Sequence, residues 1–423
     1  MIKVVIVGGG LAGLTAAFYL SKDPKYELII FEAQEKLGGR VQTIDIDGFK
    51  FNYGAFMLFP WYKSYNKLLQ ELKYDHYSEH LDGKYEYVWN EKSHTFHEVN
   101  KKWVFDDIPV QKLIKFLPDF ITHKPELYNP DPKRFGMMTV EEYFKKISID
   151  DIESLDAVNK VAVGYTYGAI SQLPMAIYFG FAKEIFLNGG FKNVSVLTSG
   201  AYKVIGLLEN ELRERGVKIH KSTKVDINKD KELYLEGEKI EYDRLVIASA
   251  AGDLIEPFLP KISNLITYND HFVACIKTEN ETIVNGRYDW NLLYTSTMDQ
   301  SEPQLTSIGN FEATFVEHPD RSLIAYLRIP TKYKKVYDTE RAKKKIIELI
   351  GGFLPDAGKI TIPFIYRWSD TMPIIKLEAL EKIQAMQGQD NVYFAGDYLG
   401  APSMEVAVKS GEEVARMIKQ KIA

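Results

Sequence analysis

An α/β fold is predicted for this chain: a parallel-sheet unit assembled from both ends of the sequence, with an α+β unit inserted between them. Three observations predict it. Residues 4–13, VVIVGGGLAG, pass from an apolar run into a glycine cluster and on into a small-residue helical pattern at Leu14, Ala16, Ala17 and Leu20. A second apolar run, Leu28–Phe31, ends in Glu32, nineteen residues after Gly13. Near the other end, residues 392–397 (VYFAGD) read as a strand closing in Gly-Asp, and residues 403–418 (SMEVAVKSGEEVARMI) follow as a helix.

Gly8, Gly10 and Gly13 make a G-x-G-x-x-G pattern at a strand-to-helix junction. The first glycine allows the tight turn, the second lets backbone N–H groups approach a pyrophosphate, and the third lets helix and strand pack closely. Ala12, in the first helical turn, belongs to the same contact. The helix N-terminus points free N–H groups and partial positive charge at the phosphates. Glu32 stands where an acid accepts bonds from a ribose, which selects an unphosphorylated ADP moiety in a Rossmann-like unit. A glycine turn without a ligand is the alternative. Val4 to Ser21 is also uncharged and near the length of a membrane span. The mid-run glycines and the absence of a cleavage pattern favour strand–turn–helix over a span or a signal peptide.

Composition narrows the classes. The 423 residues allow two or three domains, and a formal net charge of −5 gives no reason to expect nucleic acid. Cys275 is the only cysteine, so no internal disulfide forms and a reducing, cytoplasmic setting is expected. His94 and His97 have no partners at metal-ligand spacing, so no metal is expected. Asn193-Val-Ser and Asn280-Glu-Thr match the glycosylation triplet and are taken as chance.

Residues 35–43 (EKLGGRVQT) add a second glycine pair and a cation, Gly38, Gly39 and Arg40. With the motifs above, the sequence resembles the flavin-containing amine oxidase superfamily. That group includes monoamine and polyamine oxidases, protoporphyrinogen oxidase, phytoene-desaturase-like enzymes and the Rab GDP dissociation inhibitors. The resemblance implies a GR2-type FAD-binding domain, with Glu32 on the adenosine ribose and Gly39 and Arg40 near the pyrophosphate.

Along the chain, residues 45–54 (DIDGFKFNYG) read as a hairpin. The resemblance carries Asn52–Phe56 past the isoalloxazine, with Gly54 and Ala55 allowing close approach and Phe56 either facing substrate or ending the hairpin core. Trp61–Lys73 reads as a helix and residues 81–105 as short strands (84–90, 94–99, 102–105). Leu113, Ile114, Leu117, Phe120 and Ile121 form a helical stripe, for which core packing is favoured over contact with a membrane. Thr139-x-x-Glu142 is a capping box, and residues 169–187 are apolar and aromatic. Tyr202–Arg215 reads as a helix stopped by Gly216, followed by strands to Leu245–Ser249. The resemblance places an adenine contact at Val225 in this stretch. Strands are expected at Phe272–Thr278, Gln304–Phe315 and Leu323–Ile329, then a helix at Thr339–Leu349 closed by Pro355. The expected division is a discontinuous FAD-binding domain (1–60, 193–265 and 355–423) and a substrate-binding domain (61–192 and 266–354).

At the C-terminal junction the resemblance implies Gly396 and Asp397 at the ribityl–phosphate region and the Met404 backbone N–H on flavin O2. Partial positive charge there favours hydride acceptance at N5. Three marks of the amine oxidases are absent. Residues 396–404 hold no cysteine, so FAD is expected to be non-covalent. Ala274 falls at the position of the lysine that holds a water near N5, with Lys277 on the opposite strand face. Ser403 falls at one tyrosine of the amine cage, and Tyr398 lies nearby in another register. RWSDTMP (367–373) resembles a W-x-x-x-x-P stretch of the protoporphyrinogen-oxidase and desaturase branch.

The expected function is C–H dehydrogenation of a small apolar substrate, protoporphyrinogen- or polyprenoid-like, by hydride transfer to flavin. Oxygen or another acceptor reoxidises it. Phe56, Trp368 and Tyr398 are the expected pocket walls, and no catalytic residue is named. An amine oxidase with a rearranged site and a non-catalytic binder like the GDP dissociation inhibitors are the alternatives.

Overall fold

The computed structural model describes residues 1–46, 49–74, 78–80, 86–90, 95–99, 110–152, 154–155, 158–159, 162, 168–188, 194–197, 199–279, 292–294, 303–310, 323–353 and 357–421. Several sequence expectations lie outside them: the hairpin tip Asp47-Gly48, residues 84–85 and 102–105, His94, Asn193, Asn280, residues 311–315 and Pro355.

Five parallel strands form one sheet, in the order Lys218–His220, Tyr26–Phe31, Ile2–Val7, Arg244–Ile247, Val392–Phe394. The apolar runs of the three middle strands are buried because helices cover a parallel sheet on both faces. The described helices are α1 (Leu11–Leu20), α2 (Lys63–Glu71), α3 (Val110–Thr122), α4 (Val140–Lys146), α5 (Met175–Leu187), α6 (Tyr202–Glu214), α7 (Thr339–Phe353), α8 (Leu377–Met386) and α9 (Met404–Gln420). α1 packs against both α9 and α6, so the two ends of the chain share one core. The uncharged stretch 4–21 is therefore strand, turn and helix. No helix among the described residues is long and apolar enough to cross a membrane.

A second sheet of seven strands runs in the order Ile360–Trp368, Asp270–Thr278, Leu323–Ile329, Gln304–Asn310, Leu292–Tyr294, Glu86–Asn90, Thr95–Val99. Its pairings are antiparallel except between Leu292–Tyr294 and Glu86–Asn90. Strand alternation divides its side chains. Phe272, Ala274 and Ile276 meet Ala342, Ile346 and Ile350 of α7, whereas Val273 and Cys275 join the main core.

A helical layer packs beside these sheets. α5 is buried along nearly its whole length. α4 opens with the expected capping box, Thr139 accepting from the Glu142 N–H while Glu142 accepts from the Thr139 N–H. In α3 the expectation of a buried stripe is corrected. Phe116 is the buried residue, against Tyr143, Phe144 and Phe179, with Leu113 and Phe120 half-buried beside it. Ring packing to α4 and α5 sets the rotation of the helix, and Ile114, Leu117 and Ile121 turn outward.

Candidate functional site

The parallel strands end together, and a cavity of about 840 Å³ opens beyond their carboxyl ends, where ligands bind in open α/β sheets. Its walls bring together Gly8, Gly10, Ala12, Glu32, Gly39, Arg40, Gly54, Ala55, Val225, Gly396, Asp397 and Met404, with Phe56 and Trp368. Gly13 and Tyr398 are not on the wall.

The glycines divide the work as their positions require. Gly8 has φ +112°, a turn conformation side chains rarely adopt. A Cβ on Gly13 would lie 2.1 Å from the Gly8 carbonyl oxygen, so Gly13 serves helix–strand contact beneath the cavity. A Cβ on Gly10 would meet nothing, because it would point into the cavity. Gly10 is also the N-cap of α1, which has no capping side chain and no acid in its first turn. The first-turn N–H groups of a helix lack intrahelical acceptors. This end is thus shaped for an anion that approaches the backbone closely, and the chain fits a pyrophosphate here.

Glu32 follows the Tyr26–Phe31 strand and is 9% exposed. One carboxylate oxygen accepts from the Gly9 N–H and the other from the Gln34 N–H, both at 2.7 Å. Arg40 donates to Asp397 Oδ1 at 2.6 Å and to the Thr371 carbonyl at 2.8 Å. Burial works against the guanidinium charge, but Asp397, Tyr268 and Asp370 together outweigh it and hold Arg40 above its ordinary pKa. Gly54 packs on this residue, since a Cβ there would lie 2.2 Å from the Arg40 carbonyl oxygen. The Ala55 N–H donates to the same carbonyl at 2.8 Å. At the far side, Met404 begins α9, whose N-cap Ser403 accepts from the Val406 N–H.

Aromatic side chains form the other end. The Trp368 indole N–H donates to the Tyr53 carbonyl at 2.7 Å, and the two rings stack at 5.8 Å. Tyr366 meets Trp368 at 4.7 Å and Tyr53 at 5.0 Å. Burial, with Tyr366 close by, pushes the Tyr53 hydroxyl pKa up. Val273 pairs with Tyr326 on one neighbouring strand and with Tyr366 on the other, and all three line the cavity. Arg367 also reaches the wall, but its guanidinium is turned to Asp270 at 2.6 Å and to the carbonyls of Lys334 and Tyr337.

Two sequence expectations are corrected here. Ala274 is fully buried against α7, so the residue of its strand that faces the cavity is Val273; a slip of one residue exchanges strand faces. Tyr398 is fully buried, its hydroxyl donating to the Ala395 carbonyl at 3.2 Å, and burial pushes its pKa well up. The short 3₁₀ turn at Asp397–Leu399 brings that ring back against Gly396 and the Ala395 carbonyl, off the cavity wall. Sequence reading missed Val273, Tyr326 and Tyr366, and took in Tyr53 only as part of the stretch Asn52–Phe56. The i, i+2 spacing of Tyr366 and Trp368 on one strand was the available signal. Among the described residues no group of three His, Cys, Asp or Glu could hold a metal ion.

Comparison with known proteins agrees with this geometry. Residues 11–419 match the family model of the flavin-containing amine oxidoreductases. A coproporphyrinogen III oxidase of Bacillus subtilis is 38% identical over 78 residues, 17% of this chain and 17% of that protein. A carotenoid 3,4-desaturase of Haloarcula japonica is 42% identical over 59 residues, 14% of this chain and 11% of that protein. These matches thus span less than a fifth of either curated relative. Among solved structures, an Exiguobacterium protein provisionally named a protoporphyrinogen oxidase superposes with TM-score 0.77 at 17% identity, over 99% of both chains. A putrescine oxidase bound to putrescine superposes with TM-score 0.72 at 16% identity, also over 99% of both. At such identities the likeness is one of fold.

Proposed function

The chain belongs to the flavin-containing amine oxidoreductase family, and from that premise we propose that it is an FAD-dependent oxidoreductase that dehydrogenates C–H bonds of a small apolar substrate. The segments 1–60, 193–265 and 355–423 act as the FAD-binding domain, and 61–192 with 266–354 as the substrate-binding domain. Glu32 holds the adenosine ribose, Val225 lies by the adenine, and the uncapped end of α1 with Gly10 and Gly39 takes the pyrophosphate. Arg40 and Asp397 hold the junction beside it, and the N-terminus of α9 at Met404 offers partial positive charge to the ring. FAD is bound non-covalently, since no cysteine lies near this junction. When bound, the flavin supplies a two-electron acceptor at N5.

The observation that carries the substrate class is the row Tyr326–Val273–Tyr366 with Trp368 and Phe56. An aromatic and aliphatic wall excludes water and stacks on a flat or conjugated substrate. Arg367, which reaches that wall, is already engaged by Asp270. The names of the relatives, a coproporphyrinogen oxidase and a carotenoid desaturase, support a tetrapyrrole or polyene class. Oxygen or another acceptor takes the electrons onward. A second reading, amine oxidation, is favoured by the same Tyr53–Tyr366–Trp368 cluster, because aromatic faces also hold cations.

The test is spectroscopic. Purified protein should carry a flavin spectrum, and denaturation should release the flavin into solution. Under anaerobic conditions a reduced tetrapyrrole or a polyene should bleach it, and simple amines should not. Bleaching by amines alone would select the second reading, and protein unable to take up FAD would overturn both.

A further inference from the structure

Residues 126–129, between α3 and α4, run in a slot with a glycine on each side. A Cβ on Gly180 of α5 would lie 2.4 Å from the Glu126 carbonyl oxygen, and one on Gly400 would lie 2.0 Å from the Leu127 carbonyl oxygen. Gly400 has φ 168°, extended backbone that any residue adopts, so its missing side chain makes room for a neighbour. Into that room Tyr128 brings its backbone, as an antiparallel bridge to Gly400. The Ala401 N–H donates to the Leu127 carbonyl and the Asn129 N–H to the Leu399 carbonyl, both at 2.7 Å. The segment is tied at both ends as well. Arg134 donates to the Glu126 carboxylate at 2.8 Å, and Gln384 of α8 donates to the Asn129 side chain.

We propose that residues 126–129 are a strap that positions the N-terminus of α9, with Gly400 as the positioning residue through which it acts. This rests on the reading above, in which that terminus faces the flavin ring. A relay of hydrogen bonds joins strap to helix. Leu127 fixes Ala401, the Ala401 carbonyl accepts from the Ser403 hydroxyl at 2.9 Å, and the same hydroxyl accepts from the Val406 N–H at 3.2 Å. Ser403 thus spends its one donor on the strap side and an acceptor site on α9, which holds the N-cap and the first-turn N–H groups in one direction. Pro402, Ser403 and Met404 stand on the cavity wall, and Gly400 and Ala401 stand behind them. The partial positive charge of a helix end falls off within one turn, so a small displacement of α9 weakens its hold on a reduced, electron-rich ring. The pyrophosphate end at α1 is left in place by such a displacement.

The test compares the native chain with Gly400→Ala, both loaded with FAD. Affinity for FAD should change by less than about threefold, since the α1 end is untouched. The ratio of reduced to oxidised flavin, read against a reference dye, should fall by about tenfold or more, about 30 mV for a two-electron couple. Ser403→Ala cuts the relay without a clash and should lower the ratio too, and Ser403→Thr should restore it. The double variant should fall no further than the larger single change, because both cut one path. A native ratio in flavin-loaded Gly400→Ala, or additive falls in the double variant, overturns the proposal. Should melting show Gly400→Ala unfolded, a native ratio in Ser403→Ala overturns it instead. A native chain that takes up no FAD would overturn the functional reading itself, a failure distinct from these.

Discussion

Arg40 and Asp397, 357 residues apart in sequence, meet at 2.6 Å between guanidinium and carboxylate. One follows the second glycine pair and the other ends the last strand region, so this contact locks the two ends of the chain around the cavity. Asp397 is 6% exposed and the Arg40 side chain 30% exposed, which leaves the pair partly screened.

Asp397→Asn should therefore cost about 1–3 kcal/mol of stability, below the figure for a fully buried pair because part of Arg40 reaches water. Denaturant unfolding of the flavin-free protein measures this. On the proposed assignment, flavin affinity falls as well, by at least tenfold in titration.

Gly10 and Gly13 make opposite predictions. Gly10→Ala adds a methyl where no protein atom lies within 4 Å, at φ −73°, so the fold should tolerate it. Its unfolding midpoint should shift little while FAD affinity drops at least tenfold. Gly13→Ala puts a Cβ 2.1 Å from the Gly8 carbonyl oxygen and should destabilise the protein itself. Equal flavin affinity in Gly10→Ala and the native chain would remove the pyrophosphate from that spot.

Trp368→Phe deletes the indole N–H that reaches the Tyr53 carbonyl. The loss of one hydrogen bond should cost about 1 kcal/mol. The aromatic wall keeps its stacking surface but loses its tie to the turn before Gly54. kcat/KM for a bleaching substrate should fall severalfold with flavin content unchanged, which stopped-flow reduction can measure.

Glu405 gives a pH dependence. It lies in the first turn of α9 and accepts from the Ser64 and Tyr65 N–H groups at 2.9 Å, tying α2 to α9. Burial raises its pKa above the ordinary 4.5, against the lowering pull of those two bonds. A raised acid binds its proton more tightly in the native state. Its contribution to stability is thus fully present below pH 4.5 and is lost as pH rises through the raised value. Glu405→Gln should flatten the melting temperature against pH in that window. An unchanged profile would show that Glu405 does not carry the dependence.

Much of the glycine-rich end of the cavity was legible because it depends on local chemistry. The glycine spacing, the acid after the second strand and the Gly-Asp junction each report a backbone need that neighbouring residues reveal. The aromatic end was less so. Ala274 and its neighbour Val273 are one residue apart, yet on a strand that places one in the core and the other on the cavity wall. Tyr398 sits beside a junction residue in sequence, but the turn at Asp397–Leu399 takes its ring into the core. The stripe of α3 had the period of a packing face, and Phe116 took that role because rings on α4 and α5 were there to receive it.

The sequence by itself determined the class of fold, the strand–turn–helix junctions at both ends and the position of Glu32, since these follow from spacing, φ and charge over a few residues. Only the tertiary structure decided that Arg40 pairs with Asp397, that Tyr326, Val273 and Tyr366 form one wall, and that α3 turns its aliphatic side to solvent. Register between strands and rotation of a helix are set by partners distant in the chain, and local pattern carries no record of which partner arrives.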